Sequence, residues 1–152
     1  MTRPTPSRLI VGLGSPHGDD RIGWAVVDRL LRERPVTLPA RRVADGVALL
    51  SALEGWDDVV VVDAAAPAGR PGLVRRFRWP CPDLADAAPL STHGLGLVEA
   101  LRMAEVLGRL PARVTIYTVE ALQAEPGAPL SEAAERALDL VVAMLVRGPD
   151  PG

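Results

Sequence analysis

The sequence predicts an α/β fold, in which helices cover both faces of a twisted, mostly parallel sheet. Apolar runs of strand length alternate with longer segments whose apolar residues recur at helical spacing, which is typical of this class. Val59–Val62 is a run of four valines, as expected of a parallel strand buried on both faces. Leu73–Trp79 has a period of two, which indicates a half-exposed edge strand, and its closeness to the preceding strand favours an antiparallel orientation.

Five segments form the first part of the predicted fold. Leu9–Leu13 is a short apolar run that ends in a glycine-rich loop, as buried strands often do. Ile22–Leu31 has apolar residues at helical spacing between two aspartates and a proline, so a helix is predicted there. The remaining predictions are a weak strand at Ala40–Ala44, a short helix at Val47–Leu53 and the strongest strand at Asp58–Asp63.

The second part of the chain follows the same alternation. Leucines on one face predict a helix at Gly94–Leu107, and Arg113–Val119 is predicted as a strand. A near-capping pattern begins the last helix, Ser131–Val146. Loops are predicted at Pro80–Leu90, which has room for one helical turn, and at Gln123–Pro129.

The composition fits one soluble domain of 152 residues with a sizeable core, since 48% of the residues are hydrophobic. A net charge of −2 favours neither nucleic acid nor an anionic membrane as a partner. We find neither a signal peptide nor the ~18–20 apolar residues that span a bilayer, so the protein is expected to be cytoplasmic. A monomer is expected as well. The single cysteine, Cys81, lies between two prolines and is interpreted as an exposed structural thiol.

Three side chains that can bind a metal follow predicted strands or precede a predicted helix. Asp20 lies in the loop after the first strand, Asp63 ends the valine-rich strand, and His93 directly precedes the helix at Gly94–Leu107. In such a sheet these loops open at one edge, where ligands bind. Two carboxylates and an imidazole fit a borderline divalent metal such as nickel or zinc, with coordination positions left open.

Each of these residues also has an ordinary structural interpretation. Asp19 and Asp20 suit a helix N-terminus, Asp63 could cap a turn, and His93 could bond to backbone. An aspartate that ends an apolar strand is nevertheless costly to desolvate unless it is bonded or used. His17 is interpreted as a residue at the rim of the site.

The chain has no Gly-x-Ser-x-Gly motif and no evident Ser–His–Asp or Cys–His arrangement, which disfavours a protein nucleophile.

The loop Gly12–Gly18 is similar to a dinucleotide-binding turn, because a strand precedes it and a helix and Asp45 follow it. Its spacing is GxGxxxG rather than GxGxxG, and Asp19 and Asp20 occupy the position where a pyrophosphate would bind. Carboxylates there would repel the anion, so nucleotide binding is the minor alternative. We interpret the glycines as allowing the backbone to approach a bulky partner closely.

Four segments together resemble the hydrogenase maturation endopeptidases. LIVGLGSPHGDDRIGWAVVDRL resembles the opening strand, glycine loop, acidic pair and helix of that family. VVVVDAAAP resembles its apolar strand ending in aspartate, LSTHGLGLVEAL its histidine segment, and YTVEALQAEPGAPLSEAAERAL its last strand, loop and helix. Each motif alone is weak, but their order and spacing from Leu9 to Val146 are specific.

The resemblance implies a three-layer αβα sandwich of the phosphorylase/hydrolase-like type around a mixed five-stranded sheet, as one domain over residues 1–152. It implies an endopeptidase that removes the C-terminal extension of a nickel-loaded precursor, the large subunit of a nickel–iron hydrogenase. The family's metal-binding residues correspond to Asp20, Asp63 and His93, which would be catalytic here. Nickel would be carried by the substrate as a recognition element rather than as a permanent cofactor.

The chain departs from the family pattern at several positions. Ser15 stands where the family has asparagine, Arg21 where glycine is frequent, and the loop before Asp19 is one residue shorter. Two other functions stay open: a nickel-sensing chaperone that docks on hydrogenase without cutting, and a general metallopeptidase, although the chain has no His-Glu-x-x-His motif. Trp24 and Trp56 are expected in the core rather than on a docking surface.

Overall fold

The computed structural model describes residues 8–33, 38–86 and 95–148 of the chain. Its strands are β1 (Arg8–Leu13), β2 (Ala40–Val43), β3 (Asp58–Ala65), β4 (Val74–Arg78) and β5 (Arg113–Glu120). Its α-helices are α1 (Ile22–Arg32), α2 (Gly46–Ala52), α3 (Leu97–Val106) and α4 (Glu132–Arg147), and 3₁₀ turns lie at Gly18–Arg21 and Pro82–Asp86. None of these helices is long and apolar enough to cross a lipid bilayer.

The strands form one sheet in the order β2-β1-β3-β5-β4, which confirms the predicted mixed five-stranded α/β architecture. The antiparallel edge strand is also confirmed, but β4 pairs with β5 and not with β3, which precedes it in the chain. The reason is burial. β5 is buried on both faces and needs a neighbour on each side, whereas β4 exposes arginines and tolerates the edge.

Both faces of the sheet are covered, because its central strands are apolar on both sides. In β3, Val59 and Val61 belong to the core formed with α2 and α3. Val60 and Val62 belong to a second core, formed with α1 and α4. Burying a valine side chain contributes about 1.5–3 kcal/mol. The predicted three-layer αβα arrangement is therefore confirmed, with one core on each side of the sheet.

Two predicted boundaries differ in ways that affect the site. β3 extends to Ala65, because Ala64 and Ala65 continue the parallel pairing with β5. Asp63 therefore lies near the end of β3 rather than at it, on the same face of the sheet as Val59 and Val61. Helix α3 begins at Leu97 instead of at Gly94, and residues 87–94 lie outside the part of the chain that the structure describes.

Close packing of α1 against the sheet fixes the position of the loop that contains Asp20. A Cβ atom on Gly12 would lie 2.0 Å from the carbonyl oxygen of Gly23. A Cβ atom on Gly23 would lie 2.5 Å from the carbonyl oxygen of Leu13 and 2.6 Å from that of Val62. Helix and sheet are thus in direct backbone contact, which holds the start of α1 against the ends of β1 and β3.

This contact predicts the effect of Gly23→Ala. Helix propensity alone would make alanine more stable by up to about 1 kcal/mol. We expect the clash with two backbone carbonyls to outweigh that gain and to lower the free energy of unfolding by about 3 kcal/mol. Urea denaturation measures this difference.

Gly96→Ala is the matched control, because among the described residues the added methyl group would meet only the movable carboxylate of Glu99. Its effect on the free energy of unfolding should stay within about 1 kcal/mol. A Gly23→Ala protein as stable as the wild type would show that α1 can move away from the sheet.

Candidate active site

Two of the three predicted metal ligands lie at the carboxyl ends of the parallel strands. Asp20 belongs to the 3₁₀ turn that connects β1 to α1, and Asp63 lies near the end of the adjacent strand β3. The third predicted ligand, His93, lies outside the described residues. Within those residues no group of three metal-ligating side chains occurs. The two carboxylates are therefore the part of the site that the structure describes.

Asp20 is buried and held by its own loop. Asp20 is 9% exposed to solvent. Its Oδ2 accepts a hydrogen bond of 2.5 Å from the Ser15 hydroxyl. The backbone nitrogen of Ser15 donates to the Asp20 carbonyl oxygen at 3.1 Å, which closes the loop. Burial raises the pKa of the Asp20 carboxyl group, and the Ser15 hydrogen bond and the charge of His17 partly oppose this increase.

Asp63 is the more strongly perturbed of the two carboxylates. The pKa of Asp63 is raised from 3.8 to about 8, mainly because the carboxyl group is buried. A hydrogen bond from the Ala64 backbone opposes this increase, and the negative charge of Asp20 adds to it. Oδ1 accepts that bond from the Ala64 nitrogen at 2.8 Å. Asp63 keeps part of its surface accessible, although the surrounding chain removes most water from the carboxyl group.

Asp20 follows β1 and Asp63 lies near the end of the neighbouring strand β3, and the negative charge of Asp20 contributes to the raised pKa of Asp63. Neither of them forms an ion pair with a residue in the described ranges. A buried pair of like charges is stable only when a proton or a cation neutralises it. The arrangement therefore favours a proton in the metal-free protein and a divalent cation when one is supplied.

Asp19, the neighbour of Asp20, has a different role. It is 1% exposed, and both its oxygens accept hydrogen bonds from the segment that leads from β5 to α4. Oδ1 accepts from the Ser131 nitrogen at 2.7 Å; Oδ2 accepts from the Ser131 hydroxyl and the Leu122 nitrogen, both at 2.8 Å. These contacts show that Asp19 supports the loop by joining it to the segment between β5 and α4.

The glycine loop packs against its own chain rather than against a partner. A Cβ atom on Gly14 would lie 2.4 Å from the carbonyl oxygen of Asp20, and Gly12 contacts the backbone of α1. This packing is a reason for both glycines within the chain itself, and the approach of a bulky partner to the loop stays a prediction. Nothing in the loop favours a dinucleotide either, since the buried carboxylate of Asp20 occupies the start of the helix.

In the sequence, Ser15 stands out only as a departure from the family pattern. Its hydroxyl is in fact the side-chain hydrogen-bond donor to Asp20. A serine hydroxyl five residues before Asp20 was the sequence feature that could have indicated this hydrogen bond. His17, interpreted as a rim residue, is exposed, and its Nδ1 accepts a bond of 3.1 Å from the Gly127 nitrogen.

Three further side chains also have defined positions. Trp24 is half-buried, and its indole nitrogen donates to the Val43 carbonyl oxygen at 3.0 Å. Trp56 packs against the core on the α2 and α3 side, so the expectation of core packing is confirmed for it. Cys81 is a free thiol, but it is half-buried against that core and not exposed as predicted.

Comparison with known proteins gives a consistent result. The family model described as hydrogenase maturation protease (HycI) matches residues 44–148, which is more than half of the chain. The hydrogenase expression/formation protein HupD of Rhodobacter capsulatus is 28% identical over 147 residues, covering 91% of this chain and 69% of that protein.

Solved structures are similar over almost the whole chain. The hydrogenase 2 maturation peptidase of a Thaumarchaeota archaeon has a TM-score of 0.69 and 28% identity, covering 92% of this chain and 95% of its own. An endopeptidase from Escherichia coli has a TM-score of 0.78 and 22% identity, covering 91% and 88% respectively, which supports the fold.

The pKa of Asp63 predicts how stability depends on pH. The folded-state pKa is raised from its ordinary value of 3.8 to about 8, so between these values the folded protein binds a proton that the unfolded chain does not. Stability should therefore fall as the pH rises from about 5 to about 8, by at most ~1.4 kcal/mol per pH unit. Asp63→Asn removes this dependence, and urea denaturation across that range measures it. Parallel curves for the wild type and the variant would contradict the assignment.

The contact between Ser15 and Asp20 gives a second prediction. In Ser15→Ala the carboxylate loses its hydroxyl donor, so the pKa of Asp20 should rise further. Ser15→Asn restores a side-chain donor and should reverse most of that change. Carboxyl ¹³C chemical shifts followed through a pH titration measure both variants. An unchanged pKa in Ser15→Ala would show that this hydroxyl does not stabilise the charged form.

Proposed function

Because this chain belongs to the hydrogenase maturation protease family, we propose that it removes the C-terminal extension of a hydrogenase large-subunit precursor after that precursor has received nickel. Its partner is then the precursor of a nickel–iron hydrogenase, and nickel enters as part of the substrate. Asp20, Asp63 and His93 are proposed as the residues that act on it.

The observation that supports the proposal is the buried pair of carboxylates at one sheet edge. Burial and mutual repulsion both raise the pKa of Asp63, so the pair is poised to exchange a proton for a cation. Carboxylate oxygens and an imidazole nitrogen are suitable ligands for nickel. Two or three protein ligands leave positions open for groups of the precursor, as a metal carried by a substrate requires.

Each residue has a defined task in this scheme. Asp20 and Asp63 provide negative charge to the nickel centre, and His93 provides a neutral imidazole. The Ser15 hydroxyl orients Asp20, since it donates to Oδ2. Asp19 positions the segment between β5 and α4 beside the site through its hydrogen bonds to Leu122 and Ser131. When bound, nickel polarises the scissile carbonyl or lowers the pKa of a water molecule.

The same electrostatics explain why cleavage would wait for nickel. Without a cation, the pair holds a proton or repels itself, and the precursor has no charge for the pair to bind. A nickel-loaded precursor offers that charge at the sheet edge that carries both carboxylates. The free energy of neutralising them then contributes to positioning the tail for hydrolysis.

The proposal can be tested by cleavage of purified precursor, with and without nickel. The wild-type protein should cut only the nickel-loaded form. His93→Ala and Asp63→Asn should lower the rate of cleavage by about a hundredfold or more, because a ligand is lost. His17→Ala is the matched control, since the sequence has two histidines and this one lies on the exposed rim. It should retain most of the wild-type rate.

The outcomes also separate the other functions. A nickel-sensing chaperone would form a complex with the precursor while the extension stays attached. A general metallopeptidase would bind zinc by itself and cut unrelated peptides. Full activity of His93→Ala would remove the histidine from the proposed site.

A further inference from the structure

At the amino edge of the sheet, opposite Asp20 and Asp63, arginines line a cavity of about 140 Å³. It lies between the strands and the C-terminal end of α4, where Met144 and Gly148 complete its wall. Asp58 is the one carboxylate among its described lining residues. The arginines are Arg8, Arg76, Arg78, Arg113 and Arg147.

The register of the sheet brings these arginines together. Arg8 of β1, Asp58 of β3 and Arg113 of β5 are direct neighbours in one row across three strands. In the next row Thr115 pairs with Arg78 of the antiparallel strand β4. Because alternate residues of a strand share a face, the side chains of both rows lie on the α1 and α4 side. Guanidinium groups from several strands therefore surround one cavity.

Some buried polar atoms of the residues that line this cavity have no hydrogen-bond partner. Arg8 Nε lies 3.7 Å from Asp58 Oδ2, too far for a good hydrogen bond. Arg8 Nε and Nη1 are buried donors with no acceptor, and Asp58 Oδ1 is a buried acceptor with no donor. Buried polar groups of folded proteins are almost always bonded. A ligand that fits here must therefore accept hydrogen bonds from Arg8 and donate one to Asp58.

We propose that this cavity binds inorganic phosphate as the hydrogen phosphate ion. Its unprotonated oxygens accept from Arg8 and from neighbouring guanidinium groups, whose planar geometry suits a phosphate. Its single O–H donates to Asp58 Oδ1. Even without Arg76, the four arginines Arg8, Arg78, Arg113 and Arg147 outnumber the aspartate among the described lining residues, and this excess of positive charge favours a dianion. The unbonded atoms of Arg8 and Asp58 then gain hydrogen-bond partners.

The unpaired oxygen of Asp58 determines which oxyanion is preferred. Sulfate has no O–H at neutral pH, and a phosphate monoester is mostly a dianion without one. Both would leave Asp58 Oδ1 without a donor and would place a charged oxygen beside it. Inorganic phosphate should therefore bind more tightly than sulfate or methyl phosphate. The site lies at the opposite sheet edge from Asp20 and Asp63, so it does not depend on the proposed protease mechanism.

The test is isothermal titration calorimetry of the full chain with sodium phosphate, sodium sulfate and methyl phosphate at constant ionic strength and about pH 8. We expect saturable one-site binding of phosphate, with sulfate and methyl phosphate weaker by about tenfold. Arg78→Gln and Arg113→Gln should each weaken phosphate binding by about fivefold or more, because each removes a charged donor. Circular dichroism establishes that each variant is folded.

Arg75→Gln is the matched control. It lies on the same strand as Arg78 and changes the net charge equally, but its guanidinium stacks on Phe77 at 4.9 Å, on the other face of the sheet. Its phosphate affinity should equal that of the wild type. Asp58→Asn should remove the preference for phosphate over sulfate. The proposal is overturned if phosphate does not saturate, if wild-type protein binds sulfate equally well, or if Arg75→Gln loses as much affinity as Arg78→Gln.

Discussion

Asp20 and Asp63 share one edge of the sheet, and burying their two negative charges together is the constraint on which the rest of the site depends. A single buried carboxylate already carries a substantial desolvation penalty, and a second one nearby increases it. The pKa of Asp63, raised to about 8, expresses that penalty in the metal-free protein. The pair is kept in the folded chain by a scaffold that holds both carboxylates in place and by a proton on Asp63, which a cation could replace.

The scaffold supplies that rigidity through backbone contacts rather than through long side chains. Gly12 and Gly23 allow α1 to touch the sheet directly, so the turn that contains Asp20 cannot move away from β3. Asp19 binds the segment after β5 to the same turn, with hydrogen bonds to both its oxygens. Two buried cores, one on each face of the sheet, hold the strands in register. The site is thus placed by elements that span the whole chain, although its chemistry rests on a few side chains.

The sequence predicted the architecture well, because the valine run of β3 and the helical periodicities are strong local signals. It also placed Asp20 and Asp63 at one edge, since parallel strands end together. The partner of β4 was harder to predict, because β5 comes later in the chain. β5 is buried and lies inside the sheet, so β4 becomes the edge strand. The Ser15 hydrogen bond and the close contacts of Gly12 depend on tertiary packing, which local patterns do not report. His93 stays a prediction, since it lies outside the described residues.

A crystal structure of the protein soaked with nickel, located by its anomalous scattering, tests the central claim most directly. We predict one nickel ion bound by an oxygen of Asp20, an oxygen of Asp63 and an imidazole nitrogen of His93, at about 2.0–2.2 Å from each. Nickel bound elsewhere, with neither carboxylate among its ligands, would contradict this prediction.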